Sequence, residues 1–278
     1  GGDADFSAND NFFSMGGDSL RAMRLVPAAR EAGIILTVPD IMLNPTLSAM
    51  AAKAKPLSEE DSIEVLPFSM IGQDWDAEKS KAESAELCGV DTSNVEDVYP
   101  CTPLQEGLMA LSAKFQDAYV AQRVADLPVD IAHRLKKAFD QSVEGCAILR
   151  TRIVNVPGRG LFQVVLKNGQ LVREHGSNLT EYLKADQAES MDLGTALFRY
   201  GVVHDGSSDK AHFIITMHHA VYDGWSMPLV FERINRAFVG LETSRPVSFR
   251  NFIKYLTSQD PSVAKGYWKE RLNGASPH

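Results

Sequence analysis

No run of residues in this 278-residue chain is apolar for long enough to cross a bilayer, and its opening residues do not read as a secretory leader. Positive charge is in short supply. The 28 Lys and Arg against 36 Asp and Glu leave a net charge of −8, which argues against nucleic acid or an anionic membrane surface as a partner. Cysteine is scarce too: Cys88, Cys101 and Cys146 are three, an odd number, and far apart. That suits a reducing, cytoplasmic setting better than a disulfide scaffold. With no cysteine cluster and no pair of histidines four apart, no metal site is expected. There is no internal repeat and no low-complexity tract. Asn178-Leu179-Thr180 matches a glycosylation acceptor and is read as chance in such a setting. What is present is an ordinary globular mixture, 44% hydrophobic and 23% charged, enough for one large or two smaller domains.

The most distinctive stretch is Met217-His218-His219-Ala220-Val221-Tyr222-Asp223-Gly224-Trp225-Ser226. Before it, His212 to Thr216 is β-branched and aromatic and reads as a buried strand. After it, Met227, Val230, Phe231, Ile234 and Phe238 have helical spacing. The motif therefore lies between a strand and a helix, where rigid elements fix both ends of a loop. Neighbouring strand side chains face opposite ways, so one histidine is expected to be structural, His218, and the other available, His219. An available imidazole can accept a proton at neutral pH. Asp223 is expected to lock the turn through a buried ion pair, and Gly224 to take a backbone angle that a side chain would forbid.

A second stretch, Asp10-Asn11-Phe12-Phe13-Ser14-Met15-Gly16-Gly17-Asp18-Ser19-Leu20, precedes an apolar helical face at Leu20, Met23, Val26 and Ala29. Asp18 stands at the N-cap position. Ser19 follows at the helix N-terminus, where free N–H groups and the helix dipole favour a phosphate. Pro27 should kink or loosen this helix. Thr37 and Thr46 begin two further short helices, and the Pro-, Ser- and Glu-rich run 56–66 reads as a linker.

These two stretches resemble, in this order, the carrier (thiolation) and condensation domains of nonribosomal peptide synthetases. Tyr99-Pro100-Cys101-Thr102-Pro103-Leu104-Gln105-Glu106-Gly107-Leu108 resembles the opening of fungal condensation domains. The resemblance implies a small α-helical carrier bundle over 1–55 lacking the family's first helix, a linker over 56–66, and a chloramphenicol acetyltransferase-like α/β lobe over 67–245. Residues 246–278 would cross into a second lobe that is mostly absent. It implies 4′-phosphopantetheine on Ser19, with Asp18 beside it, and an amide-forming site of His219, His218, Asp223 and the Gly224 N–H. Leu149-Arg150-Thr151 resembles the end of a further family motif, which makes Arg150 the expected salt-bridge partner of Asp223, with Arg152 as the fallback. The implied partners are an upstream adenylation domain, a downstream acceptor carrier and a phosphopantetheinyl transferase. A terminal cyclising domain and a non-catalytic docking platform are the alternative readings; the retained His218 speaks against the first.

Within 67–245, alternating patterns predict helices over 76–88, around Leu104, Leu108 and Leu111, along Ile131, Leu135, Phe139 and Val143, and over 178–188. Strands are predicted over 119–124, 149–154, 161–166, 197–203 and 212–217. That alternation is a layered α/β pattern.

Overall fold

The computed structural model describes residues 7–58, 65–115, 118–169, 172–174, 178–204, 206, 209–243 and 246–275. The chain divides into two compact units, Gly1–Glu64 and Val65–His278.

In the first unit, α1 (Ser19–Glu31), β1 (Ile34–Ile35), α2 (Val38–Leu43), α3 (Leu47–Lys53) and β2 (Lys55–Pro56) enclose Ala22, Leu36, Ile41 and Met50. The starts are chemically specified. Thr37 and Asp40 form a reciprocal capping box, and the Thr46 hydroxyl accepts from the Ala49 N–H. Two expectations shift. The buried side of α1 centres on Ala22, with Val26 and Ala29 behind it, while Leu20 is exposed. A core this small closes over an alanine that hydrophobicity alone does not flag. Helix α1 continues through Pro27, which has no N–H to give the Met23 carbonyl. Antiparallel pairing of β1 with β2, and the Leu57 N–H on the Gly33 carbonyl at 2.8 Å, extend the unit past Lys55. Residues 59–64 of the expected linker lie outside the described residues.

The second unit contains, in order, α4 (Ala77–Cys88), β3 (Val95–Pro100), α5 (Pro103–Lys114), β4 (Val120–Pro128), α6 (Val129–Gly145), β5 (Thr151–Val156), β6 (Gly160–Leu166), β7 (Val172–Glu174), α7 (Leu179–Ala188), β8 (Phe198–His204), β9 (Lys210–His218), α8 (Ser226–Phe238), α9 (Phe249–Ser258) and α10 (Pro261–Arg271). The strands form a three-stranded sheet, β3-β6-β5, and a four-stranded sheet, β4-β9-β8-β7, in which only the β7–β8 pair is parallel.

Strand β9 is the axis of the larger sheet. Its residues Phe213, Ile215 and Met217 join the core built with α6 and α8, and the Phe139 and Phe213 rings lie 4.7 Å apart. Its alternate residues face the other way. Ile214 packs with Tyr182 of α7 and Val203, and the Thr216 hydroxyl donates to Asp186. On that face the Arg199–Asp186 pair, 3.0 Å apart, is almost wholly buried. The period-two pattern therefore delivers His218 to the α7 side and the next residue to the α6/α8 side.

Two local expectations change. In α5 the buried residues are Gln105 and Met109, and Leu104 is 71% exposed, because the capping box of Thr102 and Gln105 turns that glutamine inward. Residues from 246 on do not simply leave the lobe. Helix α9 packs back on it through Ile253, beside Tyr99 and Val165, and Arg250 reaches Asp97 at 2.9 Å. Burial pushes the Asp97 carboxyl up, and the Phe68 N–H, at 2.7 Å, and Arg250 offset part of that cost.

Candidate active site and carrier serine

At the start of α1, the Asp18 carboxylate accepts from the Arg21 N–H at 2.7 Å, so it serves as the helix cap. The turn before it requires glycine. Gly16 has φ +86°, and a Cβ on Gly17 would stand 2.4 Å from the Phe12 carbonyl oxygen. This turn leaves Ser19 exposed on the first turn of α1. Its hydroxyl makes no hydrogen bond among the described residues. A free serine oxygen beside open helix N–H groups is a fitting attachment point for a phosphodiester.

In the second unit, β9 ends on the histidine pair. His218 is fully buried, and burial pushes its imidazole down to about 4, with His219 lowering it further and Asp192 raising it. Its Nδ1 accepts from the Ala220 N–H at 3.1 Å. The neutral ring must therefore carry its proton on Nε2 and donate to Ser112 Oγ at 2.7 Å. The serine hydroxyl in turn donates to the Leu108 or Ala118 carbonyl, each 2.9 Å away.

His219 is exposed. Its N–H bonds the Tyr119 carbonyl at 2.8 Å, and Tyr119 stands at φ +65°, a left-handed angle that a side chain adopts only when its surroundings impose it. The His219 ring stacks on Tyr222 with centroids 4.6 Å apart. Its Nδ1 lies 3.0 Å from the Tyr222 carbonyl, which can only accept, so Nδ1 carries the proton and Nε2 keeps its lone pair. Among the described residues nothing occupies that lone pair.

The expected ion pair between Asp223 and Arg150 does not form. Arg150 is buried beneath the smaller sheet, where it meets Glu96 at 2.7 Å and the Val143 and Leu166 carbonyls. The fallback, Arg152, donates to the Cys88 and Gly194 carbonyls at 2.7 and 3.0 Å. Asp223 instead caps the helix that follows. Its carboxylate accepts from the Trp225 and Ser226 N–H groups at 3.1 and 2.7 Å, while its own N–H donates to Ser226 Oγ at 2.9 Å. Partial burial acts to raise the Asp223 carboxyl; the Ser226 and Trp225 donors outweigh it and hold the group below its ordinary value. Open helix N–H groups were a nearer source of stabilisation than a distant cation. Gly224 is corrected as well. Its φ is not in the left-handed region, and a Cβ there would meet nothing within 4 Å. Its own N–H has no partner among the described residues.

Sequence reasoning missed Gln105, a buried amide that touches the histidine loop at the Ala220 carbonyl, and Gln163, the buried amide behind it. The Thr-Pro-Leu-Gln capping-box pattern was a signal for the placement of Gln105; nothing marked Gln163. Among the described residues no group of His, Cys, Asp and Glu could hold a metal ion, and no helix is long and apolar enough to cross a membrane.

A family model described as "Condensation domain" matches residues 95–278, and one described as "Phosphopantetheine attachment site" matches residues 2–53. Nonribosomal peptide synthetase 6 of Cochliobolus miyabeanus is 74% identical over all of this chain, which spans 16% of that relative's length. Nonribosomal peptide synthetase SIDD of Beauveria bassiana is 54% identical over 95% of the chain and 14% of its own length. Among solved structures, a mutant of the starter condensation domain of rhizomide synthetase is similar over 65% of this chain and 49% of its own, with a TM-score of 0.53 and 15% identity, a likeness of fold alone. The expected architecture, a small helical carrier bundle and an α/β lobe of the chloramphenicol acetyltransferase type, is borne out. With more than half of its residues inside the first of those models, the chain belongs to the condensation-domain family and carries a phosphopantetheine-attachment module ahead of the condensation region.

Proposed function

We propose that this chain forms an amide bond during nonribosomal peptide synthesis, with an acyl thioester as donor and an amine on a downstream carrier as acceptor. The observation that carries the reading is the His219 ring, exposed, with Nδ1–H committed to Tyr222 and the Nε2 lone pair open. Nε2 orients the amine or accepts its proton as the C–N bond forms and the thiolate departs. Such general-base help is worth about 10²–10⁴-fold. The unengaged Gly224 N–H, at the turn that starts α8, donates to the oxyanion as it develops, a contribution of about 10²–10³-fold for one donor. His218, neutral and buried, holds the loop.

Ser19 offers the attachment hydroxyl, and the first turn of α1 faces the phosphate. When bound, 4′-phosphopantetheine supplies the terminal thiol on which an acyl group travels. The partners that follow are an upstream adenylation domain, a downstream acceptor carrier and a phosphopantetheinyl transferase. The setting is the cytoplasm, consistent with three buried free thiols; burial pushes Cys88 up to about 11 and raises Cys101 and Cys146 as well.

His219→Ala in the full-length synthetase, with both carriers loaded, should lower the condensation rate by about 10²–10⁴-fold. An undiminished rate would leave only the docking-platform reading, and a released macrocycle would assign the cyclising one. For the carrier, incubation with a phosphopantetheinyl transferase and coenzyme A should add one 4′-phosphopantetheine mass to the wild type, with 3′,5′-ADP as the leaving group, and none to Ser19→Ala. An adduct on Ser19→Ala would remove that serine from the proposal.

A further inference from the structure

The buried amide of Gln105 sits where three parts of the lobe meet. Its Oε1 accepts from the Thr102 N–H at 2.9 Å at the head of α5. Its Nε2 donates twice, to Gln163 Oε1 on β6 at 2.9 Å and to the Ala220 carbonyl at 3.1 Å. Gln163 in turn donates to the Pro100 carbonyl at 3.0 Å. The orientation of the Gln105 amide follows without ambiguity. Reversing it would set an oxygen against two acceptors and an NH₂ against a donor.

Ala220 follows His219 directly, and its peptide groups are held from both sides. Its N–H is taken by His218 Nδ1 and its carbonyl by Gln105 Nε2. The backbone around His219 is therefore clamped at four points: its own N–H on Tyr119, the next N–H on His218 Nδ1, the next carbonyl on Gln105, and the Val221 N–H on the His218 carbonyl at 3.1 Å. The first, second and fourth belong to the strand end and its buried histidine. The third comes from α5 and, through Gln163, from the other sheet.

We infer that Gln105, supported by Gln163, is a positioning residue that fixes the direction of the His219 imidazole by holding the Ala220 carbonyl. The inference rests on the proposed role of His219. Gln105 does not touch the reacting atoms. Without its donor the Ala220–Val221 peptide keeps a single anchor, the Val221 N–H on the His218 carbonyl, so it can tilt about that bond and carry Tyr222, and with it the His219 ring, off the line of approach. A misplacement of about 1 Å costs on the order of 10²-fold in rate.

The test uses the full-length synthetase with loaded carriers. Gln105→Met keeps the bulk and removes the donor. It should lower kcat about 10–100-fold and leave the KM for the acceptor within about twofold, at every pH. Gln105→Glu should show the same loss at pH 8. Its carboxyl, raised by burial, regains a proton to donate as pH falls towards 6, so its rate relative to wild type should recover. Circular dichroism at each pH checks the folded fraction. A wild-type kcat in Gln105→Met, or a Gln105→Glu ratio that is flat with pH, would overturn the inference. Loss of fold in both variants would also overturn it, by assigning Gln105 to stability. His219→Ala at full rate refutes the reading beneath, separately from either result.

Discussion

At the scale of single residues, two adjacent histidines are given opposite chemistry by one step of strand alternation. His218 is buried neutral, and its folded-state value near 4 lies below the ordinary 6.5. The unfolded chain therefore binds the extra proton first. The stabilisation is fully present above pH 6.5 and is lost as pH falls from there to about 4. At about 1.4 kcal/mol per pH unit, that loss reaches about 3 kcal/mol. Urea unfolding between pH 7 and 4.5 should show this slope in the wild type and a flatter one in His218→Gln. Asp223 invites a second measurement. As a helix cap, Asp223→Ala should cost about 1 kcal/mol, and Asp223→Asn much less, since Asn also caps well. A buried ion pair would instead lose about 3–5 kcal/mol in either variant. Equilibrium unfolding of the two variants separates the cases.

At the scale of elements, the site depends on the depth at which β9 is held. One face of that strand meets α6 and α8 through apolar contact, and the other meets α7 through a polar network. In that network Asp186 accepts from Arg199 at 3.0 Å and from Gln122 of β4 at 2.8 Å. It thus ties α7 to β4, β8 and β9 immediately below the histidine loop. Arg199→Met would leave a buried carboxylate short of its cation. It should destabilise the second unit by about 3–5 kcal/mol, read as a lower thermal midpoint.

At the scale of the whole molecule, the two units have separate cores. Ala22, Leu36, Ile41 and Met50 serve the first, and the clusters around β9 and β6 serve the second. Damage to one should leave the other's chemistry intact. Arg199→Met, destabilised in the second unit, should therefore still accept 4′-phosphopantetheine on Ser19 at the wild-type rate, measured by intact mass. A matched fall in loading would show that the units fold as one.

The sequence by itself determined the local features. Capping pairs such as Thr37 with Asp40, glycine at Gly16 and Gly17, and the period-two run into His218 act over a few residues, so their physics is written in adjacent letters. The two motifs likewise carried the family. What only the tertiary structure decided was partnership across long separations. Arg150 chose Glu96 over Asp223, Arg250 chose Asp97, and Gln105 reached Ala220 and Gln163. A buried charge or amide must find a partner, yet which one it finds depends on how the sheets and helices close around it, and no spacing along the chain encodes that.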